Sequence, residues 1–205
     1  MTKKLLVEFI GTFFLVLVVS LSGNPVAIGF ILMAMVYMGG YISGAHYNPA
    51  VTAGLWVSKK IGGHDAVKYI VAQLAGGFAA AGVYTFINKN FFLPAPGAGV
   101  SWLVAFIVEM LFTFALVTVV HHTAATEKTK GNDYYGLAIG MTLLAAAAAG
   151  GPVSGGAFNP AVGVSPLLFD IGDISAHLGN MLLYGAGPLA GGLLAGWAYV
   201  KMKNL

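Results

Sequence analysis

The chain has 205 residues, 58% of them hydrophobic and 8% charged. A soluble domain carries about 25% charged residues, so this composition excludes an ordinary water-facing surface and makes the bilayer the natural solvent. The formal charge of +3, carried entirely on lysine, is too small for a nucleic-acid partner, and the absence of cysteine excludes disulfides and thiolate metal sites.

About 20 apolar residues cross the roughly 30 Å hydrocarbon layer as a helix. Six stretches qualify in chain order: Leu5–Ser22, Pro25–Ile42, Val67–Ile87, Trp102–His122, Tyr134–Gly150 and His177–Val200. The first follows Lys3 and Lys4 as a signal peptide would, but Glu8 interrupts it and no small-residue cleavage pattern closes it, so it is read as a retained span. Polar or Gly/Pro-rich connections separate the spans at Lys59–Asp65, Asn88–Ser101, Thr123–Asp133 and Leu168–Ala176. Six crossings put Lys3, Lys4, Lys59, Lys60, Lys68, Lys128, Lys130, Lys201 and Lys203 on one side, and Lys89 alone on the other. Lysine excess marks cytoplasmic loops, so both termini are expected in the cytoplasm.

The two halves, about 1–100 and 101–205, repeat each other within a single channel-like domain. Val7–Val19 matches Val108–Val120 at eight of thirteen positions, which pairs Glu8 with Glu109. Ser43–Val51 (SGAHYNPAV) matches Ser154–Val162 (SGGAFNPAV), and Leu74–Tyr84 matches Leu189–Tyr199. Three spans per half, an odd number, make the repeat inverted, with the functional site near the midplane.

Asn48-Pro49-Ala50 and Asn159-Pro160-Ala161 each follow a glycine-rich stretch and precede a short apolar segment, ending near Val57 and Leu168. Asparagine favours the N-cap and proline the first helical position. Nine or ten residues make only about 14 Å of helix, half a membrane. Two half-helices entering from opposite faces would meet tip to tip. Each tip carries about +0.5 charge, which repels cations. The asparagine oxygens cap, and their NH₂ groups are left free to face passing solute. Glu8 and Glu109, costly inside a membrane, are expected to accept hydrogen bonds from the loops that lead into the half-helices.

With the paired SGAHYNPAVT and SGGAFNPA segments and the two glutamates, the sequence resembles the aquaporin (major intrinsic protein) family over nearly the whole chain. The resemblance implies an all-α fold of six transmembrane helices plus two re-entrant half-helices, one pore per subunit and a homotetramer in the lipid bilayer. It implies that His46 faces the cytoplasmic half of the pore. Counting from the asparagines by the family pattern puts Ile28, Ala147, Gly156 and Val162 at the four-residue selectivity filter. Water-selective members typically have phenylalanine, histidine, a small residue and arginine there. The arginine position is Val162. Such a filter is wide and apolar, and polar solutes would rely on backbone carbonyls of Gly150–Gly156 or keep their own water.

The expected function is therefore a passive channel for water and small uncharged solutes: glycerol, urea, ammonia, hydrogen peroxide or neutral metalloid acids. A water-selective channel, an alternating-access transporter and a closed adhesive protein are the alternatives. His121 and His122 are expected at the membrane interface, with Trp56, Trp102 and Trp197 as interfacial anchors. His64 and His177 lack a partner at metal-ligand spacing. With no nucleophile–base pair or phosphate loop, neither enzyme activity nor cofactor nor metal is expected. The simple architecture suggests a microbial plasma membrane.

Overall fold

The computed structural model describes residues 1–203. It is all-helical among them. In chain order the helices are α1 Thr2–Ser22, α2 Pro25–Ser43, α3 Pro49–Val57, α4 Gly63–Asn88, α5 Trp102–Thr123, α6 Tyr135–Ser154, α7 Pro160–Phe169 and α8 Ile174–Lys203. Six of these are long and apolar enough to cross a membrane. The other two, α3 and α7, have nine and ten residues. The second half repeats the order of the first: long, long, short, long.

The long helices agree with the expected spans to within four residues at each end, and the deviations have local causes. Asn24 caps α2, accepting from the backbone N–H of Val26 at 2.8 Å, with Pro25 at the first helical position. Helix α4 starts four residues earlier than hydropathy alone places it, with Asp65 in its positive first turn. Helix α6 runs through Gly150-Gly151-Pro152 to Ser154. Pro152 lies in the last turn, so the helix loses one hydrogen bond there without ending.

Each half-helix packs on the long helices of the other half. Helix α3 lies against α8, and α7 against α4. Glycine pairs make this possible. A methyl group on Gly192 would overlap the Ala50 carbonyl of α3, and one on Gly77 would crowd the Ala161 carbonyl of α7 at 2.8 Å. Their neighbours Gly76 and Gly191 leave the same room for Phe9 on α1 and Met110 on α5. Without water in the surroundings, such close van der Waals approach is the main attraction between helices. Trp56, Trp102 and Trp197 are exposed on the outer wall.

Candidate functional site

The loops entering the half-helices are bent by left-handed residues. Gly44, Ala45 and Tyr47 have φ of 91°, 51° and 51°, and Gly155, Gly156 and Phe158 have 92°, 69° and 48°. A non-glycine residue in this region costs about 1–3 kcal/mol unless its surroundings fix it. The buried carboxylates do so. Glu8 accepts from the backbone N–H of His46 at 3.0 Å and Tyr47 at 2.7 Å, and from Ser43 Oγ at 2.7 Å. Glu109 accepts from the N–H of Ala157 at 3.0 Å and Phe158 at 2.6 Å, and from Ser154 Oγ at 2.7 Å. Two tyrosines complete the clamps: Tyr69 Oη donates to the Ser43 carbonyl and Tyr184 Oη to the Ser154 carbonyl, each at 2.7 Å.

The asparagines cap as their position in the sequence requires. Asn48 Oδ1 accepts from Ala50 N–H at 2.8 Å and Asn159 Oδ1 from Ala161 N–H at 2.9 Å. Their amide groups are not wholly free, which corrects the sequence expectation. Asn48 Nδ2 donates to the Phe158 carbonyl and Asn159 Nδ2 to the Tyr47 carbonyl, each at 2.9 Å. The two halves are thus stapled across the midplane, and each amide keeps one N–H for the lumen. Both asparagines line one central cavity, so the two helix tips and the two remaining donors address the same space.

Sequence reasoning missed a further polar layer in the first half. Gln73, fully buried on α4, donates to Glu8 Oε2 at 2.8 Å and to Thr52 Oγ1 at 3.0 Å. Thr52 Oγ1 also lies 3.1 Å from His46 Nδ1, which fixes a ring that lines the lumen. A glutamine in an apolar helix was the available signal, because a buried amide in a membrane needs partners.

Three cavities follow one another along the axis. The central lumen has a volume of about 20 Å³. A vestibule of about 340 Å³ adjoins it on the side of α7, sharing Val19, Ile28 and Gly156 with it. A second, of about 360 Å³, adjoins it below the 124–134 loop, sharing Ala45, Val120 and Ile139. The four residues expected at the filter gather at the first junction: Ala147 faces the vestibule, Val162 the lumen, and Ile28 and Gly156 both. None carries a charged or hydrogen-bonding side chain.

The expected row of free carbonyls over Gly150–Gly156 is shorter than the sequence suggested. Helix α6 uses Gly150 and Gly151, which accept from Ser154 Oγ and Gly155 N–H. Pro152, lacking an N–H, instead leaves the Ala148 carbonyl without its helical donor, and both residues line the vestibule.

The histidines outside the pore take structural places. His121, in the last turn of α5, is buried; it bridges the Val117 carbonyl at 2.8 Å and Ser58 Oγ at 2.9 Å, tying α5 to the end of α3. His122 is exposed. His177 pairs with Asp170 at 2.9 Å, closing the turn from α7 to α8. Among the described residues no group of three or more His, Asp or Glu could hold a metal.

Comparison with known proteins supplies names for this arrangement. The family model described as major intrinsic protein matches residues 18–199. The chain is 34% identical over 243 residues to Aquaporin AqpM of Methanothermobacter thermautotrophicus, covering 100% of this chain and 98% of that one. It is 35% identical over 213 residues to Glycerol uptake facilitator protein-like 6 of Lactiplantibacillus plantarum, covering 94% of each. The fold matches the X-ray structure of the aquaglyceroporin from Plasmodium falciparum with a TM-score of 0.79 at 20% identity, over 98% of this chain and 96% of that one.

Proposed function

From the fact that this chain belongs to the major intrinsic protein family, we propose that it is a broad-range member conducting water together with glycerol, urea, ammonia, hydrogen peroxide or neutral metalloid acids. Membership itself makes it an integral membrane protein and a passive channel for water or small solutes. The wider solute range rests on one observation: Ile28, Ala147, Gly156 and Val162 meet at the mouth of the lumen with no charge and no side-chain hydrogen bond among them. A polar solute at such a neck pays for lost water only, not for displacing a fixed guanidinium's partners. The glycerol-uptake name of one relative supports the same reading.

The remaining roles follow. Asn48-Pro49-Ala50 and Asn159-Pro160-Ala161 form the midplane station, where two helix tips repel cations and two N–H groups replace lost water contacts. Glu8 and Glu109 hold the loops rather than couple transport, because their oxygens are occupied by donors. His46 is a polar station on the termini side of the lumen. The protein works as a homotetramer in a plasma membrane, with both termini in the cytoplasm as the lysine excess directs.

A second reading, a water-selective channel, is favoured by the small lumen of about 20 Å³. Stopped-flow shrinkage and reswelling of proteoliposomes under sucrose, glycerol, urea and ammonia gradients separates the two. Reswelling with glycerol and urea supports the broad channel; reswelling withheld for every solute supports the narrow one. Val162→Arg is expected to cut glycerol and urea flux roughly tenfold or more while sparing water, since a site built around fixed polar groups discriminates steeply. An unchanged solute profile in that variant rejects the filter assignment.

A further inference from the structure

An open hollow of about 310 Å³ lies at the turn from α3 to α4, lined by Trp56, Lys59, Lys60, Ile61, Gly62 and Gly63. None of these residues lines the lumen or either vestibule. The turn is fixed by its backbone. The N–H groups of Lys59 and Lys60 close the end of α3 on the Trp56 and Leu55 carbonyls at 2.9 and 2.8 Å. Gly63 brings the start of α4 against the edge of the Trp56 ring, where a methyl group would press on the indole nitrogen at 3.3 Å.

The polar side chains of the hollow are all donors: two ammonium groups and one indole N–H. Among the described residues the Trp56 indole donates to no protein group, whereas that of Trp102 donates to the Gly179 carbonyl at 3.2 Å. No carboxylate lines the hollow, and Asp65, the nearest in sequence, lies 3.6 Å from His64. The Lys60 ammonium sits 5.8 Å from the ring of Tyr199 near the end of α8, which puts the hollow on the side of the chain termini. From its rim α4 runs into the membrane with Val67 and Val71 turned outward, 62% and 61% exposed. They follow Gly63 at four-residue steps on one helix face. They lie about 6 and 12 Å along the axis from it, within the roughly 15 Å of one leaflet.

We propose that this hollow is a headgroup site for an anionic phospholipid of the leaflet on the termini side. Lys59, Lys60 and the Trp56 N–H hold the phosphate, and one acyl chain lies along Val67 and Val71. The proposal needs the membrane insertion of the chain and not its solute range. A phosphate diester supplies the negative oxygens that three converging donors lack. A zwitterionic choline head would bring a cation against the two lysines. Tryptophan settles at headgroup depth for the same reason, with an apolar body and one polar edge. Basic hollows beside spanning helices suit lipid phosphates. A free phosphate matches the lysines but buries nothing on the valines, so the lipid binds better.

The test reconstitutes the full chain in mixtures of phosphatidylcholine and phosphatidylglycerol, with bromine on the chains of one lipid at a time, because bromine quenches a tryptophan it touches. Trp102→Phe with Trp197→Phe leaves Trp56 as the sole tryptophan, and water permeability reports an intact fold. Brominated phosphatidylglycerol is expected to quench Trp56 at a several-fold lower mole fraction than brominated phosphatidylcholine. A lysine near the surface favours an anionic lipid by roughly fivefold, so Lys59→Gln with Lys60→Gln should bring the two lipids to within about twofold. Lys128→Gln with Lys130→Gln, on the 124–134 loop, should leave the preference unchanged. An equal loss there would mean a diffuse surface potential and overturn the site. Absence of quenching by either lipid would mean that protein covers the valines, and would overturn it as well. Millimolar inorganic phosphate should not weaken the preference; if it abolishes it, the hollow takes free phosphate and the lipid site is rejected. Should the single-tryptophan protein fail to fold, the wild type and the Lys59→Gln, Lys60→Gln variant are purified from an equal mixture of the two lipids and compared by native mass spectrometry. Phosphatidylglycerol kept by the wild type and lost from the variant supports the site, and equal retention rejects it.

Discussion

The two halves of the molecule hold their half-helices with the same core device, and they differ in what surrounds it. Both have a buried glutamate, a serine hydroxyl, two backbone N–H groups and a tyrosine clamp in matching places. Beyond that shell the first half adds Gln73, Thr52 and His46, where the second has Pro188, Gly163 and Ala157. Glu8 thus accepts from four donors and Glu109 from three. The repeated part answers a demand of the membrane: irregular backbone at depth must be satisfied inside protein. The unrepeated part ends on His46, which lines the lumen, so it concerns what passes through rather than how the chain folds.

The strongest way to break this comparison is to remove the shared device. Glu8→Ala and Glu109→Ala each leave at least three buried neutral donors without an acceptor, and since each such donor costs about 1–3 kcal/mol, each variant should lose on the order of 3–5 kcal/mol. Thermal unfolding in detergent would read both; a mild effect at either site would show that the carboxylate is not what holds the loop. The glycine contacts should give smaller and unequal losses. Gly192→Ala drives a methyl deep into the Ala50 backbone, whereas at Gly77 the Ser165 hydroxyl at 2.7 Å can turn aside and the Ala161 carbonyl at 2.8 Å needs a smaller shift. Overpacking costs about 1–3 kcal/mol, so Gly192→Ala should sit at the top of that range and Gly77→Ala at the bottom. Equal losses would mean the two half-helix contacts are equally rigid.

Gln73→Leu sharpens the difference instead. It removes the amide that ties Glu8 to Thr52 and should destabilise by about 1–2 kcal/mol, the cost of buried partners left unpaired. Coupled with Thr52→Ala in a double-mutant cycle, the losses should be non-additive, because the two side chains share one hydrogen bond. Strict additivity would dissolve the network into separate contacts. A water permeability that falls along with stability would tie the layer to His46.

Much of this was legible before any coordinates. Hydropathy and lysine placement located six spans, and the Asn-Pro steps located two half-helices, because both signals are local in the chain. The glutamates stood out because charge within a span needs a reason. What stayed hidden depended on distance in sequence. The Asn48–Phe158 and Asn159–Tyr47 staples join residues 110 and 112 positions apart, and no local pattern announces them. Tyr69 and Tyr184 would have paired had the third repeat match been extended five residues upstream. The end of α6 was misplaced because Gly-Gly-Pro reads as a breaker, yet a proline in a last turn removes one donor without unwinding the helix.

That proline offers the finest contrast between the halves. The repeat sets Pro152 opposite Tyr41 and Ala148 opposite Tyr37. Tyr41 keeps its N–H and lines the vestibule on the termini side, whereas Pro152 and Ala148 line the other. The second vestibule therefore has a mid-turn helical carbonyl that a proline leaves without its usual donor, beside a filter that has no polar side chain. Pro152→Ala should return an N–H to that carbonyl and take the acceptor from passing solute. A neutral hydrogen bond nets about 0.5–1.5 kcal/mol, so urea permeability should fall roughly two- to tenfold, with stability equal or higher because an alanine suits a helix better than a proline. Dimethyl sulfoxide, which accepts hydrogen bonds but donates none, should be unaffected. A matching fall for both solutes would mean that the substitution narrowed the mouth, and the carbonyl would lose its role.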